Sequence, residues 1–170
     1  RPLSFKYMVA AGSLTPVKGF DILIQSFKDL ADEQTDLHLV ILGSGKCKNE
    51  LKSQISQLKL DGRVHLLGWV DNVYVYFKFA EACILSSRIE GFPNVLLQEM
   101  ACNDTVVATL CAGGIEAIEG VFTCSADNPA DLTNAIKLSL SSENSGRRRL
   151  FDSYLDQNTF ENYVEHLNKH

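Results

Sequence analysis

A chain of 170 residues, 45% hydrophobic and 22% charged, carries enough apolar material for one globular domain with a full core. Its formal net charge of −5 argues against nucleic acid as a partner, because phosphate backbones call for a basic face. No apolar run reaches the roughly 18 residues of a membrane-spanning helix, and no signal-peptide pattern opens the chain. Five scattered cysteines without a CxxC pair suggest neither a disulfide framework nor a zinc site, so reduced thiols in a cytoplasmic protein are expected. The first residue is Arg1 and a strand follows almost at once, which suggests a domain cut from a longer protein.

Apolar runs of strand length alternate with segments of helical period, the signature of a Rossmann-like, doubly wound parallel sheet of about six strands flanked by helices. The first strand is expected over Phe5 to Ala11 and the first helix over Gly19 to Ala31, where Phe20, Leu23, Phe27 and Leu30 recur at three and four. A strand from Leu37 to Leu42 then leads to a helix from Asn49 to Leu58, with Leu51, Ile55 and Leu58 on one stripe. The pattern continues with strand Val64 to Leu67, helix Val73 to Phe79, strand Ala82 to Ser86 and helix Pro93 to Cys102. Strands Thr105 to Ala108 and Gly120 to Cys124 precede a helix from Ala130 to Leu140. After Gly146 two extra helices finish the chain. Arg147, Arg148 and Arg149 open the first of them as a solvated helix start. The second is announced by Asn158 with Glu161 three residues on, a capping-box-like pair, and carries Phe160, Tyr163, Val164 and Leu167 on one stripe. Residues 1–170 read as a single domain.

An open α/β sheet binds ligands at the carboxyl ends of its strands, so site residues belong in the strand-to-helix loops. "GSLTPVKGF" combines a glycine turn at Gly12, a helix entry near Gly19 and the ammonium of Lys18, which together suit a phosphate. Alone, the loop reads equally as an ordinary exposed lysine beside a turn. "LGSGK" ends the second strand with Gly43 and Gly45, where a ligand, a neighbouring backbone or a tight turn each explains the glycines. In "IEGFPNVLLQEMA", Pro93 suits the first helical position and leaves the amides of Asn94, Val95 and Leu96 without helical partners. Glu90, just upstream, is placed to accept hydrogen bonds from hydroxyls, so a sugar phosphate fits the pair; the bland alternative is a carboxylate favouring the helix dipole. Gly113 and Gly114 face the same crevice from the side, with Glu116 and Glu119 solvated. There is no D-x-D run for a divalent metal, no G-x-S-x-G elbow and no Cys/His pairing at a recognisable spacing. His38, His65, His166 and His170 read as packing or solvated residues.

Taken together, "GSLTPVKGFDILIQSF", "HLVILGSGKCKNEL", "RVHLLGWVDNVYVYFKFAEACILSSRIEGFPNVLLQEMACNDTVVAT" and "AGGIEAI" resemble the C-terminal, donor-binding half of GT-B fold retaining glycosyltransferases of family 4. The resemblance covers nearly the whole chain with the blocks in order. It implies a hexosyltransferase-type enzyme taking a nucleoside diphosphate sugar as donor substrate, with no metal or other cofactor. Its acceptor would be a glycan or a lipid-linked acceptor of bacterial O-antigen, capsule or lipopolysaccharide assembly. By position it assigns Lys18 to the diphosphate and Glu90 to the sugar, both as catalytic residues, and the backbone around Phe92, Asn94 and Val95 to sugar and phosphate. Gly12, Ser13, Gly43, Val70 and Gly91 complete the implied donor site, with the loop Gly68 to Asp71 facing the base.

This chain departs from the family pattern at two places. Ser13 stands where an arginine is usual, which removes one diphosphate cation. The second glutamate of the E-x7-E pattern falls at Gln98, while Glu99 occupies a place usually given to a small residue. One helical step turns a side chain by roughly 100°, so Glu99 does not stand in for its neighbour, and Gln98 is assigned the ribose hydroxyls through neutral hydrogen bonds. The resemblance also implies an N-terminal acceptor domain absent from these residues, peripheral membrane placement for the full-length protein, and inactivity of this fragment alone. Open alternatives are a related nucleotide-sugar epimerase or phosphorylase, and a non-catalytic α/β scaffold that has lost donor binding.

Overall fold

The computed structural model describes residues 1–143 and 146–158. Its strands are β1 (Lys6–Ala11), β2 (Leu37–Leu42), β3 (Val64–Gly68), β4 (Ala82–Leu85), β5 (Val106–Thr109) and β6 (Phe122–Cys124). They form one six-stranded sheet in the order β3-β2-β1-β4-β5-β6, and every pairing is parallel. The helices are α1 (Phe20–Glu33), α2 (Lys48–Gln57), α3 (Tyr74–Phe79), α4 (Asn94–Cys102), α5 (Pro129–Ser141) and α6 (Arg147–Gln157).

Strand side chains alternate between faces, and both faces are covered, which is why the strands are apolar almost without interruption. Met8, Ala10, Leu39 and Ile41 point to one side, where they join Leu23, Phe27 and Leu30 of α1, Leu51 and Ile55 of α2, and Leu132 and Ile136 of α5. Tyr7, Val9, Val40 and Leu42 point to the other, against Phe77 of α3, Leu96 and Met100 of α4, and Phe151 of α6. Both layers of the core therefore close within the chain. Phe27, Phe77 and Phe151 are wholly inaccessible, and truncating a phenylalanine in such a setting to alanine costs about 3–5 kcal/mol.

The expected elements are all present as far as residue 157, with differences at their ends that have local causes. β6 does not begin at Gly120, because Gly120 turns there with φ 91°, outside the extended range. β4 stops short of Ser86, whose hydroxyl is turned to the Lys18 carbonyl at 2.9 Å. Helix α4 starts at Asn94, so Pro93 is its N-cap with φ −80° and ψ 103° instead of its first residue. The expected solvated arginine cluster is only partly so. Arg147 is buried, its guanidinium lying 5.0 Å over the Phe122 ring, while its Nε donates to the Asp104 carbonyl at 2.9 Å. Asn158 closes α6, with its amide nitrogens directed at the Tyr154 carbonyl. The remainder of that expected last helix lies outside the described residues.

The strand order reverses between β1 and β4: the chain leaves β1 outward through β2 and β3, then returns to pair β4 with β1 at Met8–Ala82 and Val9–Cys83. The loops that follow these two strands diverge to opposite faces and open a crevice between them. Lys18 lies in one loop and Glu90 in the other. Among the described residues, no helix is long and apolar enough to cross a membrane.

Candidate functional site

A cavity of about 560 Å³ occupies this crevice. Of the residues singled out from the sequence, Gly12, Ser13, Lys18, Gly43, Val70, Glu90, Phe92, Asn94, Val95 and Gln98 line it. Gly91 is exposed and does not.

The Lys18 ammonium and the Glu90 carboxylate meet in an ion pair, at 21% and 17% side-chain exposure. Sequence reasoning assigned them to different parts of a ligand, and the fold brings them into contact across 72 positions. Lys18 ends a 3-10 turn, Pro16–Lys18, capped by Gly19 in the left-handed region at φ 61°. That glycine is required twice over: a Cβ there would fall 2.1 Å from the Ser86 carbonyl oxygen, and the backbone conformation itself costs a non-glycine residue about 1–2 kcal/mol. The two loops are joined by further bonds, from the Arg88 amide to the Val17 carbonyl at 2.7 Å and from the Ser86 hydroxyl to Lys18. The Arg88 guanidinium adds a bidentate pair with Asp21, at 2.8 and 2.7 Å, and a bond to Asp127 at 2.8 Å. These aspartates push the Arg88 pKa up and occupy its side chain, so it does not serve the cavity as a free cation. Among the described residues Lys18 is the sole cation in the lining, and none of them replaces there the arginine expected at Ser13.

Gly19→Ala is expected to lower stability by more than about 2 kcal/mol, since backbone strain and collision with a main-chain carbonyl combine. Urea unfolding measures this. Gly62→Ala, with nothing within 4 Å of the added carbon, is the neutral control.

On the Glu90 side, its amide donates to the Cys111 carbonyl at 2.8 Å and the Ser87 hydroxyl donates to Oε1 at 2.8 Å. Thr109 in turn holds the Ser87 carbonyl at 2.6 Å, so the carboxylate is fixed from β5 as well as from its own loop. Just beyond, α4 begins. The Leu96 amide donates to the Pro93 carbonyl at 2.9 Å, which corrects the expectation of three free amides. Those of Asn94 and Val95 have no partner among the described residues and form the exposed positive end of the helix. The glycines of "LGSGK" serve backbone against backbone: a Cβ on Gly43 would lie 1.9 Å from the Gly12 carbonyl oxygen, and one on Gly45 would lie 2.5 Å from that of Leu14.

Gln98 and Glu99 go to opposite environments. Gln98 lines the cavity, with Nε2 donating to the Tyr74 hydroxyl at 3.5 Å. Glu99 is fully buried, neither carboxyl oxygen has a partner among the described residues, and burial drives its pKa well up. Trp69, Ser44 and Val73 also line the cavity and were not singled out from the sequence. Trp69 could have been found there, as the one tryptophan of the chain standing next to Gly68 in a crevice loop. Arg88 could not, because Asp21 and Asp127 lie 67 and 39 residues away. Glu116 is exposed and accepts the Gly114 amide at 3.0 Å, as a turn carboxylate does. His38 and His65 hydrogen-bond to each other at 3.0 Å and stack on Phe5, away from the crevice.

Comparison with known proteins agrees with this architecture. The chain is 38% identical over 118 residues to the N-acetylgalactosamine-N,N'-diacetylbacillosaminyl-diphospho-undecaprenol 4-alpha-N-acetylgalactosaminyltransferase of Campylobacter jejuni, covering 69% of this chain and 32% of that protein. It spans between 25% and 40% of the length of the first curated relatives it matches. In fold it is similar to S. aureus TarM, solved in complex with UDP, with a TM-score of 0.83 at 18% identity over 95% of this chain and 34% of that one. It is also similar to the C-terminal domain of the group 1 glycosyl transferase LpcC from Francisella tularensis, with a TM-score of 0.78 at 18% identity over 89% and 87% of the two chains. The family model for glycosyl transferases group 1 matches residues 5–142, which is most of the chain, and the protein belongs to that family.

Proposed function

We propose that this chain is the nucleotide-sugar-binding half of a two-domain retaining glycosyltransferase, and that it presents a sugar from a nucleoside diphosphate sugar to a hydroxyl of a glycan or lipid-linked acceptor held by an N-terminal domain. The observation that carries the proposal is the meeting of Lys18 and Glu90 at the β1/β4 reversal, beside the two free amides of α4. A diphosphate entering the cavity takes the Lys18 ammonium and those amides, and Glu90 is released to accept the sugar hydroxyls. When the glycosidic bond to the diphosphate breaks, charge develops on the leaving phosphate where these donors already point, which is the usual source of rate in such sites. Gln98, one helical turn along α4 and facing the same cavity, takes the ribose hydroxyls. The undecaprenyl diphosphate in the name of the Campylobacter relative favours a lipid-linked acceptor and bacterial surface polysaccharide assembly at the inner face of the membrane.

Calorimetry with UDP, GDP and ADP tests the reading, and saturable binding of at least one of them is expected. Replacing Gln98 with alanine is expected to weaken that nucleotide roughly 2- to 10-fold, the value of one or two neutral hydrogen bonds. The same loss confined to a Glu99 variant would overturn the ribose assignment. Binding of none of the three would remove the donor-site reading altogether.

A further inference from the structure

The stretch Ser86, Ser87 and Arg88 follows β4 and grips both sides of the crevice. Ser86 holds the Lys18 carbonyl and Ser87 holds the Glu90 carboxylate, but Arg88 reaches further. Its Nη1 donates to the Pro16 carbonyl at 2.5 Å and to Asp21 Oδ1 at 2.8 Å, Nη2 to Asp21 Oδ2 at 2.7 Å, and Nε to Asp127 Oδ1 at 2.8 Å. All three guanidinium nitrogens are engaged. Pro16 and Asp21 stand on either side of Lys18 in the chain, Arg88 comes just before the residues that bear Glu90, and Asp127 belongs to the turn between β6 and α5, where it takes φ 58°. One fork thus binds three strand-to-helix connections. It lies outside the cavity of Lys18 and Glu90, in the lining of a smaller one of about 190 Å³ that it shares with Pro16 and Asp21.

The Arg88 side chain is 29% exposed and its carboxylate partners 45% and 63%, so solvent screens the network and its contribution to global folding is modest. Its local effect is larger. In the free chain the Lys18–Glu90 ion pair itself ties the two loops together. A diphosphate that draws Lys18 off Glu90 removes that tie, and the Arg88 fork, with its main-chain bond to the Val17 carbonyl, then keeps the loops in register. Accepting the donor-site reading above, we propose that Arg88 is a positioning residue, which clamps the Pro16–Lys18 turn to the Glu90 loop and so sets where the Lys18 ammonium stands when the glycosidic bond breaks, without itself touching the donor. A rigid planar fork is what the task requires, because the single nitrogen of a lysine cannot hold three partners in fixed directions.

The test measures kcat and donor KM in the full-length enzyme. Arg88→Ala is expected to lower kcat about 10- to 100-fold, the cost of misplacing a reacting group by about 1 Å, while changing KM for the donor less than about threefold. Arg88→Lys keeps the charge and is expected to recover little of the loss. If Arg88 acts through Lys18, Arg88→Ala introduced into a Lys18→Ala background should lower kcat less than about threefold further, since residues that work as a unit are not additive. Lys137→Ala, which breaks an exposed ion pair with Glu33 outside the crevice, is the control with unchanged kcat. Urea unfolding of each variant separates misplacement from lost folding. Should Arg88→Ala fail to fold, Asp127→Asn, which removes one anchor and leaves Arg88 in place, decides by the same pattern in weaker form. An unchanged kcat, an equal loss in both backgrounds or full recovery in Arg88→Lys overturns the inference and leaves the donor site standing. Failure of the unsubstituted chain to bind UDP, GDP or ADP overturns the donor site itself, and with it the role given to Arg88.

Discussion

Lys18→Ala is expected to lower kcat of the full-length enzyme by about 100- to 1000-fold, the loss seen when one preorganised donor to a developing charge is removed. Two features make the loss large here. Among the described residues Lys18 is the sole cation lining the cavity, so no described neighbour takes over the charge. Its removal also leaves Glu90, only 17% exposed, with the Ser87 hydroxyl as its remaining side-chain partner, at 2.8 Å, and with its negative charge facing the incoming diphosphate. The single variant should thus be penalised twice, by a missing attraction and by an exposed repulsion. Repeating Lys18→Ala in a Glu90→Gln background removes the second penalty, so the fold-loss in UDP, GDP or ADP affinity caused by Lys18→Ala should be smaller there than in the native background. Residues in direct contact commonly show such coupling, about 0.5–3 kcal/mol in double-mutant cycles. Additive losses would mean that the ion pair is not exchanged on binding. A change in kcat below about threefold would remove Lys18 from the catalytic machinery, given what donors of this kind ordinarily contribute.

The division between what the sequence announced and what it concealed follows from the range of the interactions. Apolar runs such as "LHLVIL" read as strands buried on both faces, and the stripe Phe20, Leu23, Phe27 and Leu30 reads as a helix with one buried side; these are local statements, and the sheet and α1 follow them. The phase of α4 was equally local. A step of about 100° separates neighbours on a helix, and Gln98 faces the cavity while Glu99 faces the core. What stayed hidden was pairing at a distance. Lys18 and Glu90 were each legible as ligand-binding groups, but nothing near either residue says that they touch. Arg88 is held by Pro16, Asp21 and Asp127, none of which is near it in the sequence. The spacing of the glycines in "LGSGK" fits ligand approach as well as it fits the close passage of Gly12 and Leu14 that they permit, because a missing Cβ does not record what fills the space.

Replacing Glu99 with methionine is expected to stabilise the chain, and to do so more strongly as the pH rises. Glu99 is fully buried on α4 and packs in the layer that contains Cys83 and Met100, with neither carboxyl oxygen hydrogen-bonded among the described residues. Burial therefore raises its pKa well above the ordinary carboxyl value, and Cys83 beside it is pushed upward by the same cause. The folded chain keeps a proton on Glu99 that the unfolded chain releases above about pH 4.3. Under linkage the state binding more protons gains as pH falls, so this residue favours folding least at high pH: stability is lost at about 1.4 kcal/mol per unit as pH rises from the unfolded pKa towards the folded one. Methionine has a similar volume, no proton to release and no polar atom to leave unsatisfied, and its flexible stem suits an interior site. At low pH the gain should be near the 1–3 kcal/mol of a buried polar group without a partner, and it should grow as pH rises above the unfolded carboxyl value. Urea unfolding of both proteins as a function of pH measures the difference directly, and the histidines and other titrating groups shared by the two proteins cancel in it. A gain that does not grow with pH would show that Glu99 ionises in the folded chain as readily as in the unfolded one. A loss of stability would show that the carboxyl group is held by something the buried layer does not display. Nucleotide affinity should be the same in Glu99→Met as in the native chain, because the helix position that meets the cavity is Gln98.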